Sequence, residues 1–386
     1  MKLPFPLAEV AARHSKWLLM AGTALLVSAC SATELANFPD TNRVVARADY
    51  LDRKPLPALS DYQVAAQQRV RNLLTRPMTV GAAVEIAMLN TPHLQQVYQS
   101  QQIWDEDLVL AMAEAAATET DVNHTEMDWT AARLALMKSV NTVDRFDFPK
   151  EYFDTVEDFV EVGEDVRKAY FAAVAAQQLQ NMLEHAATAT QAAAELANAQ
   201  YQAGTANRRA QALHHMTHAE VVKALAHAKL EAVSTRETLN RLLGLWGDDA
   251  NWTAPETLPP LPEARPVFDG LEEFALERRL DHLSERKSWA LWHSAVDVRS
   301  EVRENYAALQ IHYDIAKYQR DTVLPLSDVV LGETQLEYNG MLMGVYDLID
   351  DTRGQVEAGR EYVAALRDYW IAEAELVQSV GGALPN

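Results

Sequence analysis

From Val166 to Tyr201 the chain carries a seam of mostly small or apolar residues spaced three and four apart: Val166, Ala169, Ala173, Ala176, Gln180, Leu183, Ala187, Thr190, Ala194, Ala197 and Tyr201. A repeat of 3.5 residues keeps one helix face turned towards a partner, so this stretch reads as coiled-coil helix. Unbroken from 166 to 201, it is about 54 Å long at 1.5 Å per residue. The spacing resumes at Val221, Leu225, Ala228, Ala232, Thr235, Leu239 and Leu242. It returns from Ile349 through Thr352, Val356, Gly359, Val363, Leu366 and Trp370 to Val377 and Val380. These are rods, and Gly204 and Gly340 sit where the rods must turn.

The rods occur twice. Asp165-Val166-Arg167-Lys168-Ala169-Tyr170 matches Glu301-Val302-Arg303-Glu304-Asn305-Tyr306 at an offset of 136, which also carries Gly204 onto Gly340. Leu243-Gly244 matches Val380-Gly381 at 137. The two copies are joined by residues 254–268, whose five prolines exclude helix and predict an extended connector. The fold class expected is all-α: long antiparallel coiled-coil hairpins in two tandem repeats, spanning 78–253 and 269–382. Residues 30–77, with scattered prolines, read as an extended lead-in.

The first 29 residues read as an export signal. Lys2, Arg13 and Lys16 make a basic start, and an uncharged apolar stretch from Trp17 to Val27 is too short for an ordinary membrane span. It ends in Leu26-Val27-Ser28-Ala29-Cys30, the pattern of a bacterial lipobox, with the chain's one cysteine where the lipid is attached. No cofactor is expected beyond that covalent lipid. Ser31 follows where an aspartate would retain the protein at the inner membrane, which points to the outer membrane. Acyl chains contribute roughly 0.8 kcal/mol per buried methylene, so two or three anchor firmly. The net charge of −21 argues against a nucleic-acid partner, since phosphate binding needs a basic face.

Several stretches resemble the TolC family of outer-membrane efflux proteins: "AVEIAMLNTPHL", "VRKAYFAAVAAQQL", "YQAG…RETLNRLLGLWG", "SEVRENY", "VLPL" and "YNGMLMGVYDLIDDTRGQVEAGREYVAALRDYW…GG", together with the lipobox and the connector. The resemblance implies a homotrimer whose helices form a periplasmic tube, working with a periplasmic adaptor and an inner-membrane pump. The last block is similar to members tied to metal export. One departure is visible. The family inserts a β-hairpin into each repeat to build a membrane barrel, with strands of roughly 9–11 residues. Here about 18 residues separate Leu283 from Val302, and residues 112–160 lack apolar–polar alternation. Little or no barrel is therefore expected.

The resemblance places adaptor docking at Tyr201, Gly204 and Thr205 in one half and at Tyr338, Asn339, Gly340 and Met341 in the other; the alternative is plain turn punctuation. It places an acidic ring of the closed entrance at Asp347 and Asp350, against the alternative of a solvated acidic face. His214 and His218, at i and i+4, can share a metal or pack between helices. Trp289 and Trp292 fit either a membrane interface or a helical core. There is no HExxH, G-x-S-x-G, Walker loop or dinucleotide fingerprint, so no enzyme is expected. The sequence reads as an efflux conduit or, alternatively, as a scaffold that assembles into a tube without transport.

Overall fold

The chain divides into two units, residues 1–59 and 60–386. In the computed structural model the described residues are 61–95, 150–279 and 288–385, all in the second unit. The lipobox and residues 112–149 of the candidate hairpin region lie outside them.

Eight α-helices carry the described residues: α1 Asp61–Leu74, α2 Val80–Asn90, α3 Lys150–Gln202, α4 Arg208–Leu243, α5 Leu271–Arg278, α6 Ser288–Tyr318, α7 Leu324–Asn339 and α8 Val345–Ser379. No strand occurs among them. α3 (53 residues) and α4 (36) form the first hairpin. In the second, α6 (31) runs through a five-residue π-helical turn, Gln319–Val323, into α7 (16) and returns as α8 (35). The hairpins are thus matched in both arms, and α8 packs against α3 to join them. The heptad seams hold: Val166, Ala173, Ala176, Leu183, Thr190, Ala194 and Ala197 are buried, as are Val221, Ala232, Leu239, Val363, Leu366, Trp370, Val377 and Val380.

The π turn explains a discrepancy in the repeat. Before it, Val166 and Val302, both buried, correspond at 136. Beyond it the correspondence is 137. Gly204 N–H donates to Tyr201 O and Thr205 N–H to Gln200 O; Met341 N–H donates to Tyr338 O and Leu342 N–H to Glu337 O. Gly204 (φ 75°) therefore pairs with Met341 (φ 59°), not with Gly340, whose φ is −77°. A π turn absorbs one extra residue in an α-helix. Leu324 N–H donates to Gln319 O, five residues back, and Pro325 follows, with no N–H to give to an ordinary α-helical ladder.

One segment departs from expectation. An extended lead-in is expected over residues 30–77, yet Asp61–Leu74 is helical. Pro55, Pro57 and Pro77 bracket this stretch without entering it, and Ala65, Ala66 and Gln67 favour helix. The lead-in helix packs on α2, which is buried nearly all round, and Arg69 satisfies its buried Glu85 at 2.5 and 3.2 Å. In turn α2 closes the end of α4. Asn90 Nδ2 donates to Leu243 O (2.8 Å) and Gly244 O (2.9 Å), and Thr91 Oγ1 to Leu242 O. These are carbonyls a helix end leaves unpaired.

The core is uneven along the rods. Away from the turns it is aromatic: Phe171 stacks on Trp370 (5.5 Å), and Tyr369 meets Trp370 (5.1 Å) and Tyr313 (5.9 Å) edge-on. The proline-rich connector wraps this end without helix between 254 and 268. Its carbonyls are taken up by helix side chains: Pro259 O by Trp370 Nε1 (3.0 Å), Glu263 O by Tyr313 (2.9 Å) and Pro266 O by Gln310 (2.6 Å). Towards the turns the buried residues shrink to alanines and threonines, among them Ala186, Thr190, Ala193, Ala194, Ala197 and Thr334. The rods become slender there.

Candidate functional site: the paired hairpin tips

Each hairpin reverses in five residues, 203–207 and 340–344. At the first tip Gly204 takes the left-handed conformation, with open space around its missing Cβ. Thr205 Oγ1 donates to Gln200 O (3.0 Å), and Asn207 starts α4 by accepting from Ala210 N–H at 2.9 Å. The turn itself carries only small and polar residues, with Tyr201 exposed just before it. At the second tip Met341 is 93% exposed and Leu342 80%, with Met343 and Tyr338 exposed beside them. Methionine and leucine left in water at a turn make an adaptable apolar surface. The two tips are alike in backbone and each exposes a tyrosine, Tyr201 (42%) and Tyr338 (39%), but only the second adds methionine and leucine.

Asp347 and Asp350, the candidate acidic ring, are both exposed in the first turns of α8. Asp347 also serves the helix locally, since its carboxylate accepts from Gly344 N–H at 3.0 Å and caps α8. Glycine has no side chain to do so. The Asp350 carboxylate is near enough to favour the charged form of His214, and its neighbour Asp351 accepts from Thr334 of α7 at 2.5 Å.

The two candidate metal-binding histidines are turned to different neighbours. His214 lies flat on Tyr346 of α8, with ring centroids 3.7 Å apart and planes at 17°. Burial pulls its imidazole below the usual range, the Asp350 carboxylate opposes that, and His215 adds to it. His218 Nδ1 is 3.2 Å from Thr190 Oγ1 on α3. Among the described residues no three His, Cys, Asp or Glu side chains converge as a metal site requires. The i, i+4 spacing is real, but each ring is held by a different helix.

At the other end of the rods Trp289 (82% exposed) and Trp292 (64%) meet edge-on at 6.5 Å in the first turns of α6. They are not core residues. Because Ser288–Tyr318 is helix throughout, no β-hairpin lies in that stretch of the second repeat. No helix among the described residues is long and apolar enough to cross a membrane.

Sequence reasoning missed one feature, a buried charge cluster where α3 meets α8. Glu164 and Arg167 are buried, 3.4 Å apart, and Arg167 also reaches Glu373 of α8 at 3.3 Å. Burial raises the Glu164 carboxyl to about 7; Arg167 opposes this and Glu373 reinforces it. The clue was Glu164 and Arg167 flanking Val166 on a helix face otherwise apolar.

Two matched rod hairpins in tandem, joined by a strap and ending in paired tips, define an all-α fold of long antiparallel coiled-coil hairpins. No known family's sequence pattern matches the chain, and no curated protein does. Solved structures do. The CmeC outer membrane channel of Campylobacter jejuni superposes with a TM-score of 0.58 at 12% identity, over 79% of this chain and 86% of that one. A membrane protein from Pseudomonas aeruginosa gives 0.57 at 12%, over 79% and 90%. The outer membrane protein VceC from Vibrio cholerae gives 0.52 at 12%, over 79% and 97%. The likeness is one of fold: the chain has the TolC-type helical fold, without strands among its described residues.

Proposed function

We propose that this chain is an outer-membrane-factor-like lipoprotein, held to the outer membrane by lipid on Cys30. In this reading three copies form a periplasmic helical conduit of a tripartite efflux system that exports metals or drugs. A periplasmic adaptor docks at the tips, an inner-membrane pump supplies the cargo, and no chemistry is performed on it. The observation that carries the reading is the pair of matched hairpins ending in exposed tips, in the fold shared with solved outer membrane channels.

A second observation supports self-association. Ile311, Ile315, Tyr318, Leu326, Val329 and Leu336 are all exposed along α6 and α7. With the extra residue of the π turn discounted, since Tyr318 and Leu326 stand eight apart, their spacings keep them on one broad face of the helix. An exposed apolar stripe of this length suits a second copy. Threefold assembly would also bring six carboxylates, Asp347 and Asp350 of each copy, around one axis, where like charges repel.

The helical start of α6 favours a second reading, a scaffold that forms a tube without conducting. Electron microscopy of detergent-extracted protein tests the assembly: a threefold tube is expected, and a monomer would sink both readings. Metal and drug tolerance of a deletion strain separates them. Loss of tolerance restored by the gene supports the conduit, while unchanged tolerance supports the scaffold.

A further inference from the structure

The start of α6 runs out beyond its partner in the second hairpin. Asn305 Nδ2 donates to Glu375 O of α8 at 3.3 Å, and α8 ends at Ser379. The two helices are antiparallel, so the residues of α6 before about 301 outrun α8. Nearest to α8, the overhang is flanked by α5, whose Glu272 meets Arg299 at 3.7 Å and Arg303 at 3.1 Å, and Val298 and Val302 are buried there. Further out, from Trp289 to Asp297, no residue is buried. Trp289, Trp292 and Val296 stand at i, i+3 and i+7 on one face of the helix, and Leu291 is exposed too. This face does not prolong the stripe of Ile311 to Leu336. Arg299, Glu301, Arg303 and Glu304 stand between the two.

Two features select lipid as the cover for this face. The buried tryptophans among the described residues give their N–H to protein: Trp252 Nε1 donates to Asn240 at 2.8 Å and Trp370 Nε1 to Pro259 O at 3.0 Å. Trp289 and Trp292 have no such acceptor among those residues and meet only each other, edge-on. An apolar ring with an unpaired donor is matched by the headgroup layer of a bilayer, where hydrocarbon lies below and ester and phosphate oxygens lie around. Charge is the second feature. A chain of net charge −21 is repelled by anionic lipid over most of its surface. Residues 288–296 hold no Asp or Glu, and Asp297 is engaged by His293 Nδ1 at 2.7 Å.

We propose that the Trp289 and Trp292 end of α6 dips into the headgroup layer of a phospholipid membrane, a peripheral side-chain contact at the end of the rods opposite the tips. It adds to the covalent anchor and rests on the reading above for a bilayer within reach. The indole N–H groups donate to lipid carbonyl or phosphate oxygens, while the rings, Leu291 and Val296 face the hydrocarbon.

The test uses the whole protein as isolated from membranes. It is reconstituted by detergent removal into vesicles of phosphatidylethanolamine and phosphatidylglycerol, with or without brominated acyl chains, since bromine quenches an indole it touches. Subtracting the emission of the Trp289→Phe, Trp292→Phe double variant from that of the parent isolates these two indoles from the other tryptophans. The difference should lose most of its intensity in brominated vesicles and be shielded there from acrylamide in the water. Circular dichroism checks that the variant keeps its helices, and if it does not, each single replacement gives the same difference for one indole. A difference signal that bromine leaves intact overturns the proposal. Open to acrylamide, it means that this end stays in water; shielded from both quenchers, that a second copy covers it. Mass spectrometry of the Cys30 peptide reports the anchor separately. Lipid on Cys30 with unquenched tryptophans sinks the contact alone, whereas quenched tryptophans without that lipid sink the anchor and leave the contact standing.

Discussion

Glu164 is the residue most out of place by composition, a carboxyl with no exposed surface whose Oε2 finds no hydrogen-bond partner. Burying a charge costs more than Arg167 and its long 3.4 Å contact return, so the protonated form is favoured and the carboxyl titrates near 7. The folded-state value lies above the unfolded 4.5, so the contribution of Glu164 to stability is fully present below about pH 4.5 and is lost as pH rises through about 7. The decline is on the order of 3 kcal/mol. Glu164→Gln should remove it: the variant's melting temperature relative to the parent should climb between pH 5 and pH 8. An equal offset at both values would contradict the assignment. His214 runs the other way. Its folded-state value is depressed below 6.5 by burial, with Asp350 opposing and His215 reinforcing; Tyr346, stacked on it, carries no charge at neutral pH. Its stack is intact above pH 6.5 and weakens as pH falls below that. The parent's melting temperature relative to His214→Phe should therefore fall between pH 7.5 and pH 5, and a constant difference across that range would contradict the assignment.

At the scale of elements the π turn is the decisive detail. It sits between Tyr318 and Leu324, is braced by Lys317 to Asp321 (2.6 Å) and Arg320 to Leu261 O (3.3 Å), and keeps the apolar stripe of α7 in line with that of α6. Without it every residue beyond would be rotated by about 100°. Removing one residue from the turn should convert it to plain α-helix and leave both flanks in register, provided the proline that the wider turn tolerates is also removed. Deleting Thr322 together with Pro325→Ala is expected to melt close to the parent. Deleting Ala226 from α4, which has no such turn, should rotate the seam from Ala228 to Leu242 and collapse the melt. Thermal denaturation followed by helical signal compares the two, and equal damage would mean the turn is no insertion. The chain's text foretold this only obliquely, through two repeat offsets, 136 and 137, that refused to agree.

For the whole molecule the exposed stripe is the feature that matters, because a free protomer leaves it in water. Leu326 and Val329 are each 59% exposed at its centre. Leu326→Asp with Val329→Asp places two charges in the proposed seam between copies, at side chains that lie mostly in water in the single chain. Light scattering in detergent is expected to show the parent as a trimer and the double variant as a monomer of unchanged helicity. A variant that still assembles would move the contact elsewhere. The docking role proposed for Met341 and its neighbours belongs to this scale too, since an apolar turn left in water at the end of a rod suits a surface that a partner covers.

By itself the sequence determined the rods, their duplication, the strap between them and the sites of the turns. Each of these is local, written in seven-residue spacing, proline and glycine, and backbone physics reads such patterns over neighbouring residues. Only the tertiary structure decided what crosses between rods. It paired Gly204 with Met341, set His214 and His218 against different helices, buried Glu164 beside Arg167 and Glu373, and seated α2 on the end of α4. Those outcomes depend on which faces meet after the chain has doubled back through more than a hundred residues. A one-residue change of phase, such as the π turn makes, redirects a face entirely while leaving the local pattern almost unaltered.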